Sequence, residues 1–277
     1  MPNANTLSAA PHVALIGFGE AGSRFARAGA WRGHARGYDV LPERRALMAD
    51  CGVEAAPDAA TALAGAQIVL SLVTADSALA AARDCAPLLP QGALWCDMNS
   101  VAPETKRAAA EAIEAAGGIY VDVAVMAPVG EELAAPLLLA GSHAAEAEAL
   151  LNRLGFGNTR VVGTEIGRAS SIKMIRSVMV KGLEALSSEC AAAADAAGVF
   201  DEVMASLDAS EKPIPWAERV AYNRERMETH GARRAAEMEE SAKTLLGLGV
   251  EPVMTRGTVQ LQREAPVRAR KEGNKAA

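Results

Sequence analysis

Three glycines and one aspartate raise the question of what this chain binds. Gly17-Phe18-Gly19-Glu20-Ala21-Gly22 has the spacing Gly-x-Gly-x-x-Gly, and Asp39 follows Gly19 by 20 residues. Where a main chain must approach a pyrophosphate, each glycine has its own task. The first permits a tight turn, the second lets the phosphates reach the backbone, and the third lets helix and strand pack closely. A helix opening at Glu20 and Ala21 offers free N–H groups and a partial positive charge to the phosphates. A carboxylate at Asp39 accepts from the adenine-ribose hydroxyls and repels a 2′-phosphate, so NAD is favoured over NADP. Arg44 and Arg45 are the cations that could still reach such a phosphate; otherwise they form a solvated helix face. The alternative for the whole motif is a strand–turn–helix that binds nothing.

A second set of polar residues has the pattern of proton transfer. Lys173, Ser177, Lys181 and Glu184 recur at helical spacing in an otherwise apolar segment. A lysine there loses hydration, which favours its neutral form and suits an acid/base at a carbinol oxygen. The bland reading is a solvated stripe. Asn99 and Ser100 follow an apolar run, where ligands collect outside a parallel sheet. Their amide and hydroxyl suit a substrate hydroxyl or carboxylate, and they equally suit capping of the helix that Pro103 opens. His230, Arg233 and Arg234 form a compact basic group fit for a carboxylate or phosphate, which Arg176 could join. The alternative is a charged surface balanced by Glu237, Glu239 and Glu240.

The elements that must position these groups alternate. Short apolar runs at 12–17, 36–40, 67–73, 92–97 and 118–125 read as strands, with helices at 20–30, from Pro42, and at 76–86 and 103–117. Two further strands, 135–141 and 159–163, flank a helix at 144–154. This predicts an α/β fold, a doubly wound parallel sheet of the Rossmann kind over residues 1–166. After Gly167 the strand signals stop. A long helix spans 168–198, with Ile172, Ile175, Met179, Leu183 and Leu186 on one face, and it joins an all-helical domain, 167–277. Helices at 200–209, 214–230, 231–247 and 252–264 follow, and a frayed tail is expected after Pro266.

Composition narrows the class. The chain has 277 residues, half of them hydrophobic, and a formal net charge of -6 without a basic stripe. A nucleic-acid partner is not expected. No apolar run reaches the roughly 20 residues that span a bilayer, so no membrane partner is expected either. Cys51, Cys85, Cys96 and Cys190 form no CxxC pair and are read as reduced thiols of a cytoplasmic protein. With His12, His34, His143 and His230 scattered, no metal site is expected.

Several motifs stand in a familiar order. The glycine motif, "SLVTADSA" (71–78), "DMNSVAPETK" (97–106), "DVAVMAP" (122–128) and "GRASSIKMIRS" (167–177) resemble the β-hydroxyacid dehydrogenase superfamily, over nearly the whole chain. That superfamily includes 3-hydroxyisobutyrate and 6-phosphogluconate dehydrogenases. The resemblance implies that Val73 and Thr74 lie beside the nicotinamide and that Asn99 and Ser100 belong to the substrate loop. It makes Lys173 the catalytic lysine. Two departures stand out: Ser177 replaces an asparagine, and Met126-Ala127-Pro128 replaces a serine-glycine-glycine loop. Segment 230–255 is similar to a less characterised branch with its own helical domain, some of whose neighbours act on sugar acids. An NAD- or NADP-dependent oxidoreductase of a small hydroxy acid or sugar acid is implied, as a homodimer paired through the helical domain. Oxidation coupled to decarboxylation or isomerisation is compatible with it. Imine reduction and non-catalytic dinucleotide sensing are the competing functions; the retained lysine favours alcohol chemistry.

Overall fold

The computed structural model describes residues 11–127, 129–210, 214–247 and 252–273. It divides into two compact units, Met1–Lys173 and Met174–Ala277.

In the first unit the strands are β1 (Val13–Ile16), β2 (Ala35–Tyr38), β3 (Glu54–Ala55), β4 (Ile68–Ser71), β5 (Leu94–Asp97), β6 (Ile119–Val125), β7 (Leu137–Ala140) and β8 (Thr159–Gly163). They form one sheet in the order β3-β2-β1-β4-β5-β6-β7-β8. The reversal of strand order beside β1 is the topological switch point at which doubly wound sheets bind ligands. Helices α1 (Glu20–Gly29), α2 (Pro42–Ala46), α3 (Ala59–Leu63), α4 (Ala78–Cys85), α5 (Pro103–Ala115) and α6 (Ala144–Arg153) connect the strands. Side chains alternate across the sheet with period two. Val13, Leu15, Ile68, Leu70, Leu94 and Cys96 pack on one face with Phe25 of α1 and Leu151 of α6. Ala14, Ile16, Val69, Trp95 and Tyr120 pack on the other, against Leu63 of α3, Ala82 of α4 and Ile113 of α5.

The sheet departs from the predicted parallel pattern at one pairing, and β8, parallel to β7, shares its reversed direction. β7 runs antiparallel to β6. The connection at 126–136 carries a short 3-10 turn in place of a crossover helix, and a parallel return needs a longer crossover. The two-residue strand β3 gave no sequence signal.

The long helix α7 (Arg168–Ala197) starts in the first unit and continues into the second, which also holds α8 (Phe200–Ser210), α9 (Trp216–Gly247) and α10 (Val253–Gly273). Two boundaries differ from expectation. The predicted helices 214–230 and 231–247 are one helix, because a single interior glycine, Gly231, costs only about 1 kcal/mol. α10 passes through Pro266 to Gly273 where a frayed tail was expected. A proline removes one hydrogen bond and kinks a helix without having to end it. In the second unit Ala191 of α7 packs on Met204 and Val220. Among the described residues no helix is long and apolar enough to cross a membrane.

Two thiols report on the first unit's core. Burial, with Asp84 beside Cys85 and Asp97 beside Cys96, pushes each thiol up to about 12 from an ordinary 9.0. A pKa raised on folding contributes stability that is fully present below about pH 9 and lost between there and pH 12. We expect iodoacetamide at pH 8 to label Cys85 and Cys96 only after denaturation, as read by peptide mass mapping. Rapid labelling of either in the native protein would contradict this packing.

Candidate functional site

The turn from β1 into α1 gives each glycine a distinct role. Gly17 sits at φ +91°, and a Cβ there would lie 2.7 Å from the Leu72 carbonyl oxygen. Gly22 approaches the Gly17 carbonyl, 3.0 Å from where its Cβ would stand. A Cβ on Gly19 would meet nothing within 4 Å. Gly17 and Gly22 therefore serve the turn and the packing, while Gly19 borders open space. Gly19 is also the N-cap of α1, and no side chain caps the helix. The leading N–H groups at Glu20, Ala21 and Gly22 thus meet the open space uncapped. An anionic pyrophosphate fits this combination of free donors and absent side chain.

Phe18 is fully buried, and its N–H donates to Asp39 Oδ2 at 2.6 Å. The Leu41 N–H donates to Asp39 Oδ1 at 2.9 Å. Asp39 is thereby locked between the glycine turn and the end of β2. Arg45 donates to the carbonyls of Asp39 and Val40, and its guanidinium lies 5.7 Å from the Tyr38 ring centre. Arg45 is folded onto the chain rather than lying on a solvated helix face. Glu20 pairs with Arg24 across one helical turn. Val73 borders Gly17 on the β4 side, and the Thr74 hydroxyl donates to Asp76 and Ser77 in the same loop.

At the carboxyl ends of β5 and β6 lies a group that sequence reading missed. Asp97 and Asp122 are register partners on adjacent strands, both fully buried. Lys106, in the first turns of α5, is 0% exposed and stands between them. Its Nζ donates to Asp97 Oδ1 at 2.9 Å and to the Asp97 carbonyl at 2.5 Å, and lies 3.6 Å from Asp122 Oδ1. Tyr120 donates its hydroxyl to Asp97 Oδ2 at 2.6 Å. Burial first, then the Asp97 charge, pushes that phenol well above its ordinary value, so it stays a donor. The motifs "DMNSVAPETK" and "DVAVMAP" contain all three charges. The available signal was that residues 97, 106 and 122 meet at one sheet edge, which only the β5–α5–β6 connectivity shows.

Asp97 Oδ1 also accepts from the N–H and the Nδ2 of Asn99, whose Nδ2 donates to Ser71. Asn99 Oδ1 is buried and has no hydrogen-bond partner. Neither Asn99 nor Ser100 is the N-cap of α5, which is Ala102 with Pro103 following; the capping reading is replaced by this turn around Asp97. Asp122 Oδ2 accepts from the Gly167 and Ser170 N–H groups and the Ser170 hydroxyl. It caps α7 from a neighbouring strand, because Gly167 has no side chain to do so. A Cβ on Gly167 would lie 2.6 Å from Arg107. One turn later Lys173, half-buried, donates to the Ser100 hydroxyl. Asn99, Ser100 and Lys173 are thus brought together within the first unit. Met126 is half-buried against Ala124, Leu138, Ala140 and Ala169, with its N–H donated to the Pro136 carbonyl.

The remaining candidates lie in the second unit. Ser177 is buried, Arg176 exposed and His230 half-buried. Lys181 and Arg234 are buried, contrary to a solvated stripe: Lys181 pairs with Glu237, Arg234 with Glu184, and Arg233 with Glu237. Desolvation is the largest influence on Lys181 and lowers its pKa against the opposing pull of Glu237. Of the expected balancing carboxylates Glu237 pairs with the basic group, and Glu184, outside that set, pairs with Arg234; both are buried.

The two glycines make separable predictions. Gly17→Ala should destabilise the fold by about 1–3 kcal/mol from backbone conformation alone. Gly19→Ala should melt within a degree or two of wild type yet lose NADH binding by fluorescence titration. Unaltered NADH affinity in Gly19→Ala would remove the open edge of the turn as the phosphate site.

Residues 12–163 match the NAD binding domain of 6-phosphogluconate dehydrogenase, and residues 194–265 match a domain of unknown function, DUF1932. A conserved hypothetical protein from Sinorhizobium meliloti is 38% identical, with 94% of this chain and 90% of that one covered and a TM-score of 0.72. The conserved protein MTH1747, of unknown function and described as structurally similar to 3-hydroxyacid dehydrogenases, is 30% identical. There 92% of this chain and 98% of that one are covered, with a TM-score of 0.69. The Mycobacterium tuberculosis 3-hydroxyisobutyrate dehydrogenase shares the fold at 16% identity, with 92% and 94% covered and a TM-score of 0.74. With its glycine turn, sheet order and more than half its length matched, the chain belongs to the 6-phosphogluconate dehydrogenase NAD-binding family.

Proposed function

We propose that this protein is an NAD-dependent oxidoreductase of a small hydroxy acid or sugar acid, with Lys173 as its acid/base. The observation that carries the reading is the Lys173–Ser100 hydrogen bond at the carboxyl edge of a sheet whose first turn suits a dinucleotide. The nicotinamide would supply hydride acceptance and donation. Gly17, Gly19 and Gly22, with the first N–H groups of α1, would hold its pyrophosphate. Asp39 would receive the adenine ribose, and its carboxylate, fixed by two backbone N–H groups, favours NAD over NADP. Arg45, turned onto backbone carbonyls, supports the same preference.

The substrate oxygen would take the place of the Ser100 hydroxyl at Lys173, so that its proton passes to or from Nζ. The Ser100 hydroxyl and the unpartnered Asn99 Oδ1 would fix the rest of the molecule. Retention of the lysine favours a carbinol over an imine.

A screen of hydroxy acids and sugar acids against NAD and NADP, followed at 340 nm, tests this reading. We expect NAD-linked turnover. Lys173→Ala should lower it by at least about a hundredfold while NADH binding persists. Near-normal turnover in that variant would remove Lys173 from the mechanism, and a large preference for NADP would overturn the role of Asp39.

We also propose that the second unit pairs two subunits. On α7, Ile175, Met179 and Leu183 are 48%, 64% and 43% exposed along one helical face, a contiguous apolar stripe on a charged chain. Met179→Glu should convert a sedimenting dimer to monomer at micromolar concentration. A dimer that survives unchanged would place the contact elsewhere.

A further inference from the structure

We propose that Lys106 is a positioning residue: its buried ammonium, set between Asp97 and Asp122, fixes Ser100 and Lys173 relative to one another. The proposal rests on Lys173 being the acid/base.

The geometry has two arms that start at one nitrogen. Lys106 Nζ donates to the Asp97 carbonyl and to Asp97 Oδ1, and faces Asp122 Oδ1 at an ion-pair distance of 3.6 Å. In the first arm the same Asp97 Oδ1 takes both donors of Asn99, which sets the turn that delivers Ser100. In the second arm Asp122 Oδ2 takes the Gly167 and Ser170 N–H groups, which sets the first turn of α7. Lys173 lies three residues beyond Ser170, on the same side of that helix, and closes the circuit on Ser100.

The placement is costly without such a role. An ammonium and two carboxylates are all taken from water, and an apolar side chain of similar length would fill the space with less desolvation. Without a cation, register-paired buried carboxylates repel, which would pull Asp97 away from Asn99 and Tyr120 and Asp122 away from the start of α7. Lys106 reaches neither open space nor Lys173, so it acts through its partners.

Three variants test this in the full chain: Lys106→Met, Lys106→Met combined with Asp122→Asn, and Lys106→Arg. The double variant removes one buried charge of each sign and keeps an amide oxygen for α7. Trace labelling with acetic anhydride at pH 8, read by peptide mass, compares Lys173 with the exposed reference Lys243. We expect the Lys173/Lys243 ratio to rise several-fold in the Met-containing variants, because the Ser100 hydroxyl no longer holds the amine. Lys106→Arg should keep the ratio nearer wild type. NADH affinity should stay within about twofold in all three. Wherever the screen yields a substrate, kcat should fall more than tenfold with little change in the KM for NAD. An unchanged ratio in a folded Met-containing variant would overturn the proposal. Loss of fold in both Met-containing variants would also overturn it, making Lys106 a folding residue only. The labelling needs no substrate. Failure of the screen would therefore count against the proposed reaction, and an unchanged ratio against Lys106.

Discussion

Two carboxylates stand side by side at the buried edge of this sheet, with one ammonium between them. Register makes Asp97 and Asp122 neighbours, and burial denies both the solvent that would screen them. An isolated buried charge is costly by several kcal/mol, whereas a paired one survives only if its other valences are satisfied. Here they nearly all are, by Tyr120, Asn99, Gly167 and Ser170. The negative charge left after Lys106 is counted falls on Asp122, where the N-terminus of α7 supplies partial positive charge. A helix start, a loop turn and a strand edge are thus fixed by one electrostatic balance.

The other end of the site is governed by sterics. Gly17 must be glycine because its φ is positive and the Leu72 carbonyl leaves no room for a Cβ. Gly19 has ample space, so its own packing does not require a glycine; under the proposed function, close approach of a ligand to the backbone would. Asp39 joins the two by holding the Phe18 N–H while remaining at the strand end.

Local pattern carried much of this into the sequence. The period-two runs and the glycine spacing mark β1, β4, β5 and the turn into α1, because short-range periodicity is set by which face is buried. The antiparallel β7 was not legible, since strand direction depends on how a connection packs. The continuity of α9 through Gly231 and of α10 through Pro266 was hidden because a glycine or a proline inside a helix raises its cost without having to end it. Asn99, Ser100 and Lys173 were visible as candidate site residues; Lys106, Asp97 and Asp122 lay in the same motifs, but their pairing was not visible. Their roles arise from the register between β5 and β6, and no spacing along the chain encodes it.

The second unit uses buried charge differently. Lys181 and Glu184 on α7 meet Glu237 and Arg234 on α9, with Gln262 of α10 donating to Glu184. Cations and carboxylates alternate between α7 and α9, so Lys181, Glu184, Arg234 and Glu237 each find a counter-charge on the other helix. Desolvation depresses both Lys181 and Arg234, and the charge of Glu237 opposes it at each. An anion competing for Arg234 would have to draw it from the buried Glu184, leaving that carboxylate the longer Arg226 contact and the Gln262 amide. The arginines near His230 are therefore poorly placed to serve as a free anion receptor. Their charge specifies how the helices of this unit pair, a task that alanine-rich surfaces with few large side chains leave underdetermined.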